Sequence, residues 1–154
     1  MNNKPINTGD RMAEIIRKCS CPCAVCKNLS ESQKINAELI YKIIELEKRV
    51  GKQINIHSGR RCPDYNRSIG GYIDSPHITG SAADISVEGY SMLELAKICV
   101  EIGFKRVGIY PNHIHVDMIN PHPSLFWYVR KYTESPIYSG GIKTLEEFIE
   151  KIIK

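Results

Sequence analysis

The sequence predicts an α+β chain: a small, mostly antiparallel sheet with helices packed on one side. Three observations lead there. Two alternating runs, Phe104–Tyr110 and His113–Met118, are separated only by Pro111 and Asn112, the spacing of a tight hairpin. Two further short strand patterns, Gln53–His57 and Ser81–Val87, lie upstream. Helical periodicity is confined to segments before, between and after these strands, an order that suits segregated α and β layers.

Each element has a local cause. Met12, Ile15 and Ile16 share one side of a short helix expected over 11–18. The crowded Cys19, Cys21, Cys23 and Cys26 follow, and Pro22 makes that stretch a loop. Ser30 and Gln33 form a capping-box pattern ahead of Ile35, Leu39, Ile43, Leu46 and Val50, and Gly51 stops that helix. Glycine and proline recur from Ser58 to Gly80, which reads as a long connection, with Gly70 and Gly71 supplying a positive-φ turn. Ser91 with Glu94 caps a helix carrying Leu93, Leu95, Ile98 and Val100 that ends at Gly103. Leu125–Val129 reads as a strand or a helical turn. Thr144 with Glu147 caps a last helix bearing Leu145, Phe148, Ile149, Ile152 and Ile153.

Composition bounds the function. The chain has 154 residues, 42% of them hydrophobic and 25% charged, which suits one folded domain and argues against disorder. That domain divides into an N-terminal helix and cysteine-rich loop (1–29), a core of about 30–120, and a C-terminal extension (121–154). A net charge of +4 suits an anionic surface such as a cell wall but falls short of a nucleic-acid binder's footprint. The N-terminus lacks the apolar core of a secretory signal, and no stretch is long and apolar enough to span a bilayer. The expectation is synthesis in the cytoplasm of a bacterium or a phage-infected cell, with release to the wall by a route such as lysis. Cysteines made in that compartment are read as thiols or metal ligands first. Cys23 and Cys26 have knuckle spacing, so a second, structural zinc on Cys19, Cys21, Cys23 and Cys26 stands beside the reading of plain reduced thiols.

The chemistry-bearing residues sit in two segments. One is Ser75-Pro76-His77-Ile78-Thr79-Gly80-Ser81-Ala82-Ala83-Asp84, and the other is His113-Ile114-His115-Val116-Asp117. Imidazole and carboxylate are zinc donors, and a catalytic zinc commonly takes three protein ligands. Alternation puts His113, His115 and Asp117 on one side of a strand, so one imidazole can hold metal while another handles a proton. Spacing alone equally allows His77 to serve a loop and the histidine pair to lie on a surface strand.

Together with Ser58-Gly59-Arg60-Arg61-Cys62-Pro63-Asp64-Tyr65-Asn66 and Gly70-Gly71, these segments resemble the M15 zinc peptidases. The nearest group resembles the D-alanyl-D-alanine carboxypeptidase branch of that family, which includes many phage and prophage lysins. The resemblance implies a fold like that of hedgehog signalling domains and one catalytic zinc on His77, Asp84 and His115. It implies His113 as catalytic partner, and Arg61 as a group that contacts substrate or developing charge. Peptidoglycan stem peptides are the implied substrate, with Ser75 and Tyr110 expected at the substrate. Tyr110 and Trp127 are both candidates to line a groove, with core packing the main expectation for Trp127. Several branches of the family place a glutamate three residues before the last zinc histidine, where this chain has Asn112. The proton acceptor is then His113 or, as a second candidate, Asp117, which also suits the role of orienting a histidine.

Overall fold

The computed structural model describes residues 7–16, 35–120 and 124–154. The cysteine cluster Cys19–Cys26, the capping pair Ser30 and Gln33, and His122 fall outside them.

The described elements are α1 (Thr8–Ile16), α2 (Ala37–Val50), β1 (Asn55–Ser58), α3 (Pro63–Ser68), β2 (Ala82–Ser86), α4 (Met92–Ile102), β3 (Arg106–Ile109), β4 (Ile114–Asp117), β5 (Phe126–Tyr128), β6 (Ile137–Tyr138) and α5 (Leu145–Phe148). A π-helical turn, Ile149–Ile153, continues α5. The six strands form one sheet in the order β1-β2-β4-β3-β5-β6. All neighbours are antiparallel except β3 and β5, which run parallel. The predicted α+β class with a mostly antiparallel sheet is what the chain adopts. No helix among the described residues is long and apolar enough to cross a membrane.

Alternation divides the sheet into two faces with different tasks. Ala83 and Ile85 of β2, Ile114 and Val116 of β4, Val107 and Ile109 of β3, and Phe126 of β5 point into one hydrophobic core. Leu39, Ile40, Ile43, Ile44, Leu46 and Val50 of α2 and Leu95, Ala96 and Cys99 of α4 pack against them, with Ile15 of α1 and Leu145 and Phe148 of α5 in the same core. Their spacing gives each helix one apolar stripe, so burial against the sheet is what holds them there. The alternate residues, Asp84, His115, Asp117, Gly108 and Trp127, therefore face the other way.

Local boundaries differ from expectation in instructive ways. Ile35 precedes α2 instead of lying within it. Asn36 is the cap, and its side-chain oxygen accepts from Glu38 N at 2.8 Å. The connection after β1 holds a helix that periodicity does not reveal, α3, begun by Pro63 at a first-turn position where its missing N–H costs nothing. Leu125–Val129 resolves to strand β5. The last helix tightens to one α-helical turn before the wider π-helical turn. Tyr110 N donates to His113 O at 3.0 Å, which leaves Pro111 and Asn112 at the hairpin tip.

One buried ion pair ties α1 to α2. Arg11 Nη2 lies 2.6 Å from Glu47 Oε1, with both side chains almost fully buried. Arg11 Nη2 also donates to Ile54 O at 2.9 Å, and Ile54 N donates to Glu47 Oε1 at 3.1 Å. Truncating one partner strands a charge and a backbone N–H in the core. Glu47→Ala should cost about 3–5 kcal/mol, read as a lowered urea midpoint. A shift equal to that of an exposed substitution would show that the pair is not buried as described.

Candidate metal centre

Strand register assembles the open face. β2 pairs with β4 so that Asp84 lies opposite His115, and Ala82 opposite Asp117. β3 pairs with β4 so that Gly108 lies opposite His115, and Arg106 opposite Asp117. Ser58 lies opposite Asp84, and Trp127 opposite Gly108. One row thus runs Ser58, Asp84, His115, Gly108, Trp127 across the sheet. His77 enters from the turn before β2, where its backbone carbonyl accepts from Arg61 N at 2.9 Å.

Three atoms converge. His77 Nε2 lies 3.2 Å from His115 Nδ1 and 3.3 Å from Asp84 Oδ1, and His115 Nδ1 lies 3.1 Å from Asp84 Oδ1. Ligands about 2.0–2.1 Å from a tetrahedral zinc stand about 3.3 Å from one another, so the triangle fits that ion. The group is buried or half-buried and is one that could hold a metal ion.

The far side of each residue is already occupied. His77 Nδ1 lies 2.7 Å from Gly59 O, a contact that places the proton on Nδ1 and leaves a lone pair on Nε2. His115 Nε2 lies 2.9 Å from Asp117 Oδ2 and likewise leaves Nδ1 facing the centre. Asp117 is fully buried. Arg106 Nε donates to both its oxygens at 3.0 Å, and Ile119 N donates to Oδ1 at 3.0 Å. Asp84 turns Oδ2 to Arg61 Nη2 at 2.9 Å, leaving Oδ1 for the centre.

Electrostatics follow from this crowding. Burial pushes His77 below its ordinary pKa, against the pull of Asp84. Burial also opposes a charged His115, but the carboxylates of Asp117 and Asp84 outweigh it and hold that imidazole above its ordinary value. Burial alone would raise Asp84, yet hydrogen bonds from His115 and His77 keep its carboxyl well below the usual range. The two carboxylates thus favour a proton on His115, and a cation at the centre would compete with it.

The remaining predicted residues frame the centre without joining it. His113 sits one pleat up from His115. Its Nδ1 lies 2.9 Å from Tyr132 Oη and 3.2 Å from Asn112 Oδ1, and its ring stacks on Tyr110 at 4.4 Å. Burial pushes its pKa down. Tyr132 Oη also contacts Asn112 Oδ1. Arg61 directs Nε to Ser58 Oγ at 2.8 Å besides its bond to Asp84, so its fork is engaged inside the site. Arg60 is half-buried, with Nε donating to Ile78 O at 3.2 Å. Ser75 Oγ accepts from His77 N at 3.3 Å. Trp127 does not join the hydrophobic core between sheet and helices: it covers the open face, 4.9 Å from the His115 ring, and donates Nε1–H to Tyr110 Oη at 3.0 Å. Only glycine permits this, because a Cβ on Gly108 would lie 2.2 Å from the Trp127 ring.

Sequence reasoning missed Arg106, Asn66, Gly59 and Tyr132. Arg106 was within reach, since a two-residue turn at Pro111 and Asn112 sets it opposite Asp117. Asn66 lies on the short helix α3 that periodicity does not reveal, Gly59 acts through a backbone carbonyl, and Tyr132 comes from a segment with no motif.

Fold and site together define an α+β chain with a three-residue candidate metal centre on the open face of its sheet. The family described as Peptidase M15 matches residues 11–117, more than half of the chain, and the chain belongs to that zinc-dependent family. The match begins upstream of the motif-bearing span and takes in most of α1. None of the curated proteins compared with the chain matches it.

A zinc ion held here would compete with a proton for His115 Nδ1. Calorimetry in buffers of different ionisation enthalpy should show about one proton released per zinc near and below neutral pH, with affinity falling as pH drops through the raised His115 pKa. Asp117→Asn should weaken zinc binding about 10–100-fold. Binding indifferent to pH and to that substitution would place the ion elsewhere.

Proposed function

We propose that this chain is a zinc peptidase that hydrolyses peptide bonds in bacterial peptidoglycan, most concretely by removing a terminal D-alanine as in the D-alanyl-D-alanine carboxypeptidase branch. A related wall endopeptidase is the neighbouring form of the same chemistry. The observation that carries the proposal is the convergence of His77 Nε2, Asp84 Oδ1 and His115 Nδ1 within 3.3 Å, each backed by its own partner. Membership of the peptidase family supports the reaction type. One domain over 1–154, with the family-like core followed by a C-terminal extension, is part of the same proposal, as is action at the wall after cytoplasmic synthesis.

His77, Asp84 and His115 would hold the zinc ion, which would supply Lewis-acid polarisation of the scissile carbonyl and activation of water. The side chains do the rest. Gly59 O and Asp117 fix the tautomers of His77 and His115. Arg61 holds Asp84 and keeps a positive charge beside the reacting carbonyl, suited to a terminal carboxylate or a developing oxyanion. Tyr132 Oη and Asn112 Oδ1 hold the proton on His113 Nδ1, so Nε2 is the atom that exchanges a proton with water or the leaving amine. Its depressed pKa keeps that nitrogen unprotonated at neutral pH. Asp117, with both oxygens occupied, suits orienting His115 better than accepting a proton from water. Asn112 also supports a second reading, a relative that binds zinc and wall peptides without turnover, because it cannot take up a proton.

Mass spectrometry of peptidoglycan peptides incubated with the protein, with and without chelator, distinguishes these. Chelator-sensitive loss of terminal D-alanine is the expected result, and cleavage inside a stem or cross-link would assign the endopeptidase. No product from zinc-loaded protein would leave the binding-only relative. His113→Ala should keep its zinc and lose at least about 100-fold in turnover. Unchanged turnover in that variant would remove His113 from the mechanism.

A further inference from the structure

The open face at the metal centre is framed by a closed ring of contacts, part of which lies outside the residues matched by the family. From Asp84 the ring passes to Arg61, whose Nη1 lies 3.4 Å from Asn66 Oδ1. Asn66 is almost fully buried, and its Nδ2 donates to Tyr72 O at 2.7 Å. Gly71 makes that approach possible, since a Cβ there would fall 2.2 Å from Asn66 Oδ1. The Tyr72 hydroxyl then meets the Tyr138 hydroxyl at 3.5 Å. Tyr138 pairs with Trp127 across β5 and β6, its ring 6.1 Å from the indole, and Trp127 returns the ring to His115.

The topology gives this contact its meaning. Tyr72 belongs to the connection between β1 and β2, at one end of the strand order, and Tyr138 lies on β6, at the other. From His115 to Tyr138 is three strand spacings, about 14 Å. Two tyrosines from opposite ends of the sheet can touch only by reaching over the open face beside the metal centre. Nevertheless their rings are not packed away: Tyr72 is 67% exposed and Tyr138 46%. Neighbouring Ile73 and Ile137 are exposed as well, so the rim presents apolar and aromatic surface with hydroxyl groups at its centre. Such a rim suits an extended, uncharged stretch of peptide: ring faces cover aliphatic and amide surface, and the hydroxyls bond backbone groups.

We infer that Tyr72 and Tyr138 form a substrate-binding rim over the open face, gripping the stem peptide beside the metal centre. The inference rests on the peptidase reading and extends it to residues of the C-terminal segment. Both act on binding and neither touches the reacting atoms.

Trp127 is the chain's one tryptophan and lies beside both His115 and Tyr138, so it reports on this face directly. The test pairs steady-state hydrolysis of a stem pentapeptide ending in D-alanyl-D-alanine with Trp127 fluorescence as the cleaved tetrapeptide is titrated into zinc-loaded protein. Tyr72→Ala and Tyr138→Ala should raise KM and the tetrapeptide Kd roughly tenfold, with kcat within about twofold and zinc content unchanged. Tyr72→Phe and Tyr138→Phe, which keep the ring and lose only the hydroxyl, should lose less affinity than the alanine variants. Unchanged KM and Kd in both alanine variants would overturn the inference, as would a fall in kcat alone. If Tyr138→Ala does not fold, Tyr72→Ala decides, because its exposed ring contributes little to the core. A wild-type chain that neither cleaves nor binds stem peptide would instead remove the peptidase reading and the rim with it. Wild-type cleavage with indifferent variants removes the rim alone.

Discussion

Two imidazole nitrogens and a carboxylate oxygen within 3.3 Å of one another, mostly out of water, form an arrangement that needs positive charge at its centre. Lone pairs facing lone pairs repel, and desolvation removes the water that would otherwise separate them. A proton on His115 relieves the conflict partly, and a divalent cation relieves it more completely. Much of the structure around the site keeps those atoms from turning away. Gly59 O anchors one ring, Asp117 with Arg106 anchors the other, and Arg61 anchors the carboxylate.

That anchoring depends on the pleat. Ile114 and Val116 are fixed in the core, so His115 and Asp117 are fixed on the opposite face. A one-residue slip in β4 would exchange the two sets, burying His115 and Asp117 among leucines and isoleucines. The hydrophobic core and the site are therefore set by one register. The core's tolerance for error is small because α2 and α4 close over it. The site gains rigidity in return, which a metal centre needs if its ligand spacing is to match one ion.

Most of this is legible in the sequence. The two motif segments, His77 to Asp84 and His113 to Asp117, lie side by side because both are on or beside adjacent antiparallel strands, a juxtaposition that spacing alone left open and the family resemblance implied. The hairpin at Pro111 and Asn112 even contains the Arg106–Asp117 pair for a reader who follows its register. What stays hidden is hidden for physical reasons. α3 is too short for periodicity to show. Trp127 looks like core by composition, and only the glycine opposite it, Gly108, reveals that the indole lies over the open face. Tyr72, Tyr132 and Tyr138 meet the site through long-range packing that no local pattern encodes. Arg61 shows the limit of motif transfer most clearly, since the motif supplies the residue and only the structure shows its fork turned to Asp84.

The central claim is a location for one ion. Anomalous diffraction at the zinc edge, from crystals of the zinc-loaded chain, tests it most directly. A peak among His77 Nε2, Asp84 Oδ1 and His115 Nδ1, about 2.0–2.1 Å from each, is the predicted result. Zinc found only on cysteine thiolates, with the His77–Asp84–His115 triangle empty, would contradict it.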